Sequence, residues 1–495
     1  MAKKPNVLFI LTDDQSYNTI HALGNPQIQT PNLYKLVQRG TSFTRAHIPG
    51  GTVSAVCMPS RGMINSGKTL FHLEENGRVI PADHVTMGEN FLQNGYHCFE
   101  TGKWHNGVDA FRRSFDAGEN IFFGGMWDHW NVPVYDYQEN GVYDHTIRFT
   151  PNFSASSETM SVIAQRIHAG VHSTELFTDS AVKYIENYDS DQPFFMYVSF
   201  LAPHDPRTMP EKYRTMYDPN EIQLPPNFQT MPDFSFGWAA KGRDENVEAY
   251  PRSEKAVRQH IADYYAMISH VDEHVGRMVT ALENKGLLED TIIVFCGDNG
   301  LAVGQHGLMG KQNVYEHSVG IPLIMAGPGI PENERRSQYV YLLDVYPTLC
   351  DLAGIDIPQS VDGRSFAKMF TDSSYITRED LYLAFQARIR GVMDQRYKLI
   401  EYRTDKVKLT QLFDLEKDPW ETMNFYDMTG YEEITQRLRQ RLQEYRQEWD
   451  DEGVLVGQQF WQQWQQYEDA ALHGVGEPKG QNMAAQTREW GRPAQ

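Results

Sequence analysis

"PNVLFILTDD", residues 5–14, decides the fold class of this 495-residue chain. Val7 to Leu11 are all apolar, and the run ends abruptly in Asp13 and Asp14. A strand with one wet face alternates apolar and polar residues. An unbroken apolar run bounded by polar residues suits a strand covered on both faces, as in a parallel sheet between helices. "QPFFMYVSFLAPHDP" (192–206) and "TIIVFCGDNG" (291–300) repeat the design. Helical patterns lie between these runs: "TPNLYKLVQRG" (30–40), with Thr30 as its cap and Gly40 as its stop, "MGENFLQNGY" (87–96), "STELFTDSAVKYIENY" (173–188) and the stretch 258–286. Strands alternating with helices predict an α/β fold whose large, mostly parallel sheet is sandwiched by helices. Ligands of such sheets gather at the carboxyl ends of the strands. Here those ends carry Asp13-Asp14, His204 and Asp298-Asn299.

After residue 370 the texture changes. Residues 388–421 alternate apolar and polar residues and break at turn-like spots, as an antiparallel meander does, and a helical pattern follows over 431–453. The expectation is a catalytic α/β domain over 1–370 and a smaller C-terminal subdomain over 371–495. That subdomain is expected to hold a four-stranded-type antiparallel sheet, a helix and a tail. The aromatic segment "FWQQWQQYEDAALHG" (460–474) and an irregular end complete the chain.

Bulk properties remove several function classes. A net charge of −20 argues against nucleic acid or an anionic membrane as partner, because phosphate-rich surfaces select basic proteins. It leaves room for one small anion in a locally basic pocket. Four cysteines, at 57, 98, 296 and 350, form no CxxC pair, so neither a disulfide framework nor a structural zinc site is expected. The apolar stretch 7–11 is too short for a secretion signal or a membrane span. As it stands the sequence reads as cytoplasmic, or as periplasmic or secreted if a signal has been removed.

The candidate chemistry sits at the strand ends and just after them. Asp13, Asp14, Asp298 and Asn299 supply hard oxygen ligands without sulfur or imidazole, which favours calcium, then magnesium, over zinc. Singly, such dipeptides are ordinary loop-starting caps. At the ends of two neighbouring core strands they read better as a metal site. Cys57, in "TVSAVCMPSRGMINSGK" (52–68), lies just before Pro59, which reads as the first residue of a helix, with Arg61 beside it. A helix start and a fixed cation both favour an anion there. Cys98, Cys296 and Cys350 read as small buried residues. "TGKWHNG" (101–107) adds Lys103 and His105, and "GQHGLMGKQNVYEH" (304–317) adds His306, Lys311 and His317 on a Gly-rich loop. Each has a bland explanation alone. Together they describe one site with a divalent cation, a reactive residue, cations for an anionic group and histidines for proton transfer. "GGMWDHWNVPVYDYQENG" (124–141) offers Trp127, His129 and Trp130, and the C-terminal segment further aromatics, as faces for a sugar ring or as packing.

These blocks, in this order, resemble the type I sulfatases of the alkaline phosphatase superfamily. "CMPSRGMINSGK" is similar to that family's Cys-x-Pro-Ser-Arg signature, with Ser66 where threonine is usual. The resemblance runs from about residue 5 to 425. It implies that a formylglycine-generating enzyme converts Cys57 to formylglycine, whose hydrate attacks sulfur and afterwards expels sulfate. It implies calcium ligands at Asp13, Asp14, residue 57, Asp298 and Asn299. Arg61 would stabilise the hydrate, and Lys103 and Lys311 would hold sulfate oxygens. His105 would assist the hydrate's collapse, and His204 would protonate the leaving oxygen. The expected substrate is a sulfated glycan end or oligosaccharide, with His306, Trp127, His129 and Trp130 as substrate contacts. A phosphonate or phosphate ester, or a choline or aryl sulfate, stands as the alternative.

Overall fold

Both faces of the "NVLFILT" strand are covered, which is why its sequence does not alternate. The computed structural model describes residues 3–151, 157–234, 242–404 and 407–472. In chain order, the elements that matter are β1 (Asn6–Thr12), α1 (Pro31–Arg39), β2 (Gly40–Phe43), α2 (Cys57–Ser66), β3 (His97–Lys103), β4 (Ala117–Phe122), α3 (Ser173–Asn187) and β5 (Phe194–Ser199). They continue with α4 (Glu254–Asn284), β6 (Thr291–Gly297), β7 (Leu323–Ala326) and β8 (Glu334–Arg336). These strands form one eight-stranded sheet in the order β8-β2-β7-β6-β1-β5-β3-β4. β1 pairs in parallel with both β5 and β6, β5 with β3, β3 with β4 and β8 with β2. Only β7 runs against its neighbours.

Val7, Phe9 and Leu11 join a core that includes Met63 and Ile64 of α2, while Leu8 and Ile10 join a second core with α1, α3 and α4. All five side chains are fully buried. Burying each contributes roughly 1.5–3 kcal/mol. The register sets Thr12 opposite Gly297, so Asp13 and Asp298 leave the sheet side by side. The mostly parallel, helix-covered sheet expected from the sequence is the one observed.

Two local expectations are corrected. Thr30 precedes α1 but caps nothing, since its hydroxyl accepts from the His21 amide. Asp272 of α4 caps α1 instead, accepting from the Leu33 amide at 2.7 Å and the Asn32 amide at 3.1 Å. A carboxylate reaching across from another helix satisfies the orphan amides as a local cap does. Pro59 is the third residue of α2, not the first, so Cys57 itself opens the helix.

Toward the C-terminus β9 (Leu381–Phe385), β10 (Ile389–Met393), β11 (Tyr397–Arg403) and β12 (Lys408–Asp414) form an antiparallel meander. A fifth strand, Gly50–Gly51, adds in parallel to β9, so the sheet is physically joined to the segment preceding Cys57. The helices α5 (Glu432–Glu448) and α6 (Leu455–Leu472) follow. Between them Asp451, fully buried, accepts from Arg390 Nε (2.6 Å) and Nη2 (2.8 Å), Tyr382 Oη (2.5 Å) and Trp461 Nε1 (2.8 Å). Phe460, Trp461 and Trp464 are buried in the core, so these three rings of α6 pack the fold. The residues after 472 lie outside the described ones. Among the described residues no helix is long and apolar enough to cross a membrane.

Candidate active site

The carboxyl ends of β1, β3, β5 and β6 meet the first turn of α2. Backbone geometry aims the ends. A register shift between Glu100 and Gly102 bends β3, and Gly102 has φ +109°. A Cβ there would stand 1.9 Å from the Ser199 carbonyl oxygen of β5, so only glycine allows the strands to close while Lys103 enters the site. At Gly125 a Cβ would stand 2.7 Å from Nε2 of His105, so a larger residue there would press on that ring.

Arg61, on α2 and fully buried, ties the helix to three strand ends. Its Nε donates to Asp298 Oδ2 (2.9 Å), and its Nη1 donates to the Lys103 carbonyl (2.8 Å) and Ser199 Oγ (2.5 Å). Cys57 Sγ lies 3.6 Å from Lys103 Nζ and 3.8 Å from His105 Nδ1. Lys103 pairs with Asp13 and Lys311 with Asp14. His204 Nδ1 is 2.7 Å from the Asp205 carbonyl, which can only accept, so Nδ1 carries a proton. Its Nε2 lies 3.6 Å from Asp14 Oδ2.

Burial and the charges of Lys103 and Arg61 push the His105 imidazole well below its ordinary value, so it is neutral. Burial also raises the Cys57 thiol, although Lys103 and Lys311 oppose this. Asp13 and Asp298 share one low-dielectric site and separate. Against burial, Lys103 and Arg61 hold Asp13 far below the usual carboxylate range, while burial and Asp13 itself push Asp298 up to about 6.

The donor set fits a hard divalent cation. Asp13 Oδ1, Asp14 Oδ2 and Asn299 Oδ1 are buried and have no hydrogen-bond partner. Asn299 is oriented so because its Nδ2 donates to Asp14 Oδ1 (2.7 Å) and the Gly300 carbonyl (2.9 Å), leaving the amide oxygen bare. Three bare oxygens with no protein donor are costly unless a cation meets them. Asp13, Asp14 and His204 have ligand atoms within 4.8 Å of one another. Asp298 is engaged differently, with Oδ1 accepting from the Asp14 amide (3.0 Å) and Oδ2 from Arg61.

Above these residues is a cavity of about 540 Å³, lined by Cys57, His105, His204 and Lys311, and by Ser54, Arg243, Asp244, Gln312, Gln386 and Arg388. The four expected substrate contacts are not among its walls. His129 is buried beneath His204: its Nε2 donates to the His204 carbonyl (3.0 Å), its Nδ1 accepts from Ser173 Oγ (2.7 Å), and its ring stacks on His172. It supports the backbone of His204 and has no nitrogen left for a ligand. Trp127 packs against Phe149 and Trp130 against His172. His306 is buried against Tyr315, ring centroids 4.1 Å apart, with Nε2 facing Asn227 Nδ2. Aromatic residue type signalled these positions, but His129 and His306 are buried, and Trp127 and Trp130 are half-buried against other rings. Gln386 and Arg388 went unnoticed because they sit in the meander, about 330 residues from Cys57 in sequence.

The sulfatase family profile matches residues 5–355, and a profile described as N-sulphoglucosamine sulphohydrolase, C-terminal, matches residues 304–448. An N-acetylglucosamine-6-O-sulfatase of Bacteroides thetaiotaomicron is 24% identical to this chain, with 91% of this chain and 87% of that protein covered. A structure solved in complex with its substrate D-glucosamine-2-N,6-O-disulfate superposes with a TM-score of 0.73 at 22% identity, covering 91% of this chain and 99% of that one. The phosphonate monoester hydrolase of Agrobacterium radiobacter superposes with a TM-score of 0.70 at 19% identity, covering 90% and 96%.

Proposed function

The chain belongs to the sulfatase family of sulfuric ester hydrolases, and from that premise we propose that it removes a sulfate ester from a saccharide by way of formylglycine at position 57 and a calcium ion. The observation that carries this reading is Cys57 lining the cavity, flanked by Lys103 and His105 beside three bare carboxylate and amide oxygens. A cavity of about 540 Å³ suits a sugar residue or two, which favours action on a glycan end. The name of the Bacteroides relative and the substrate bound in the superposed structure support a sugar as the alcohol.

Asp13, Asp14, Asn299 and Asp298 would hold the calcium, which when bound supplies positive charge to a sulfate oxygen and to residue 57. Formylglycine would supply a hydrated aldehyde, with one hydroxyl to attack sulfur and a second to break the adduct down. A thiolate lacks the second hydroxyl. Lys311, which lines the cavity, and Lys103, 3.6 Å from Cys57 Sγ, would neutralise sulfate oxygens and hold the ester in line. Against burial, Asp14, Cys57 and Asp244 keep Lys311 well above its ordinary value, so it stays cationic throughout the accessible pH range. His105 is neutral and adjacent to position 57, as a base for the hydrate requires. His204 lines the cavity and would protonate the leaving oxygen, where negative charge develops as the S–O bond breaks.

Mass spectrometry of the peptide spanning residue 57 tests the modification. Sulfate release from singly sulfated saccharides, beside 4-nitrophenyl sulfate and phenyl phosphonate, tests the substrate class. Cys57→Ala is expected to abolish sulfate release without altering the melting temperature. An active Cys57→Ala enzyme overturns the mechanism, and faster phosphonate than sulfate turnover overturns the substrate class.

A further inference from the structure

A second cavity of about 540 Å³ shares no lining residue with the first, yet one of its walls is made by the loops that carry Asp14 and Asn299. Ser16, Tyr264 and Leu301 stand on that wall. The Tyr264 hydroxyl donates to the Asp14 carbonyl (2.5 Å) and accepts from the Ser16 amide (2.9 Å), while Ser16 Oγ accepts from the Leu301 amide (2.8 Å). Other walls come from α4, from the end of β2 and from Trp420, which follows the C-terminal meander.

The chemistry of this lining differs from that of the first cavity. Among the described residues that line it there is no Asp, Glu, Lys, Arg or His, in a chain of which 22% is charged. The first cavity is lined by Arg243, Asp244 and Lys311. An ion entering the second would lose hydration and meet no countercharge, so uncharged walls select an uncharged ligand. What they offer instead is rings and amides. Tyr17 and Trp420 are half-buried, and neither packs on another ring among the described residues. Gln305 is 7% exposed, and its Oε1 accepts from Asn227 Nδ2 (3.2 Å), which leaves Nε2 as the free end of the amide. Asn227 Nδ2 also donates to the Trp420 carbonyl (3.0 Å), tying amide and indole into one wall. Gln305 Nε2, Trp420 Nε1, the Tyr17 hydroxyl and the Asn18 side-chain amide have no hydrogen-bond partner among the described residues. An apolar ligand would strand these groups without water. A sugar ring meets both demands, with its C–H face against an aromatic and its hydroxyls on the amides.

We propose that this cavity is a second, non-catalytic site for a neutral, unsulfated saccharide residue, with Trp420 and Tyr17 meeting the ring and Gln305 and Asn18 its hydroxyls. No cysteine, histidine, carboxylate or ammonium lines it, so it holds the sugar without transforming it. The site goes beyond the sulfatase reading and does not depend on it.

Calorimetry and saturation-transfer NMR on the wild-type protein test it, with N-acetylglucosamine, galactose, xylose and fucose as probes and glucuronic acid as the charged control. At least one neutral sugar is expected to bind with a Kd on the order of 1 mM, as a ligand of that size in an uncharged site allows. Glucuronic acid is expected to bind about tenfold more weakly or not at all. Saturating sodium sulfate, which competes for the Cys57 cavity, is expected to leave the Kd unchanged. Trp420→Ala and Gln305→Ala are each expected to raise it about fivefold or more. Gln305→Ala removes only a side-chain amide, so it carries the test should Trp420→Ala fail to fold. Binding of none of the four sugars, displacement by sulfate, equal affinity for glucuronic acid, or an unchanged Kd in Gln305→Ala overturns the site. None of these outcomes bears on sulfate release, so the sulfatase reading stands or falls separately.

Discussion

The proposed calcium site predicts a loss of melting temperature on calcium removal by an amount the structure bounds. Asp13 Oδ1, Asp14 Oδ2 and Asn299 Oδ1 are buried and unpartnered, and each such atom costs roughly 1–3 kcal/mol when nothing meets it. A cation bound only by the folded chain, at about 100 times its dissociation constant, stabilises that state by about 2.7 kcal/mol. Unfolding entropy of about 2.1 cal/mol/K per residue, over 495 residues, is about 1 kcal/mol/K. The expected increment is therefore about 2–3 °C, rising by about 1.4 °C for each further tenfold of free calcium. Scanning calorimetry after EDTA treatment, with calcium then restored in steps, measures it. Magnesium, which demands a stricter octahedron, should give a smaller increment. Asn299→Ala removes one bare oxygen without altering the charge balance, so it should shift the calcium dependence to higher concentration. Asp13→Asn should largely abolish it. A melting temperature indifferent to calcium, or an unchanged increment in both variants, refutes the assignment of these oxygens to a metal.

Two further predictions concern the scaffold. His129, His172, His270 and His274 form a buried stack with successive ring centroids 4.9, 4.8 and 4.8 Å apart. Burial pushes His129 and His274 to about 4 and His172 to about 3, and drives His270 lower still. The unfolded chain then binds these protons below pH 6.5 and the native chain does not, so stability is present above about pH 6.5 and falls as the pH drops toward 4. The slope is at most about 1.4 kcal/mol per pH unit for each histidine. Urea midpoints between pH 7.5 and 5 should fall accordingly and His270→Phe should flatten the fall, whereas a flat wild-type profile contradicts the account. Asp451→Ala strands the buried Arg390 guanidinium and should cost about 3–5 kcal/mol, while Arg390→Met with Asp451→Leu, which still leaves Tyr382 Oη and Trp461 Nε1 unpaired, should recover part of it. Equal midpoints for the single and double variants would show that the ion pair matters little.

Much of this protein is legible in its residue order. The unbroken apolar strands, the carboxylates at their ends and a helix start near Cys57, though two residues earlier than Pro59 suggested, follow from patterns of one to ten residues, because burial on two faces and a helix start are local demands. That Asp13 and Asp298 leave the sheet together needed only the further rule that such strands are neighbours, and the register bears it out. What tertiary structure alone decided is which side chains face the cavity and which complete the core. His129 and His306 carry residue types suited to ligands, yet both are buried, and Trp127 and Trp130 are half-buried against other rings, because a ring's orientation depends on neighbours from distant segments such as Ser173, Tyr315 and Phe149. Gln386 and Arg388 reach the site only because Gly50–Gly51 adds to β9 and draws the C-terminal sheet against the loop before Cys57. Asp272 caps a helix some 240 residues away for the same reason. Composition and periodicity report what a segment must bury; they carry no record of which distant segment buries it.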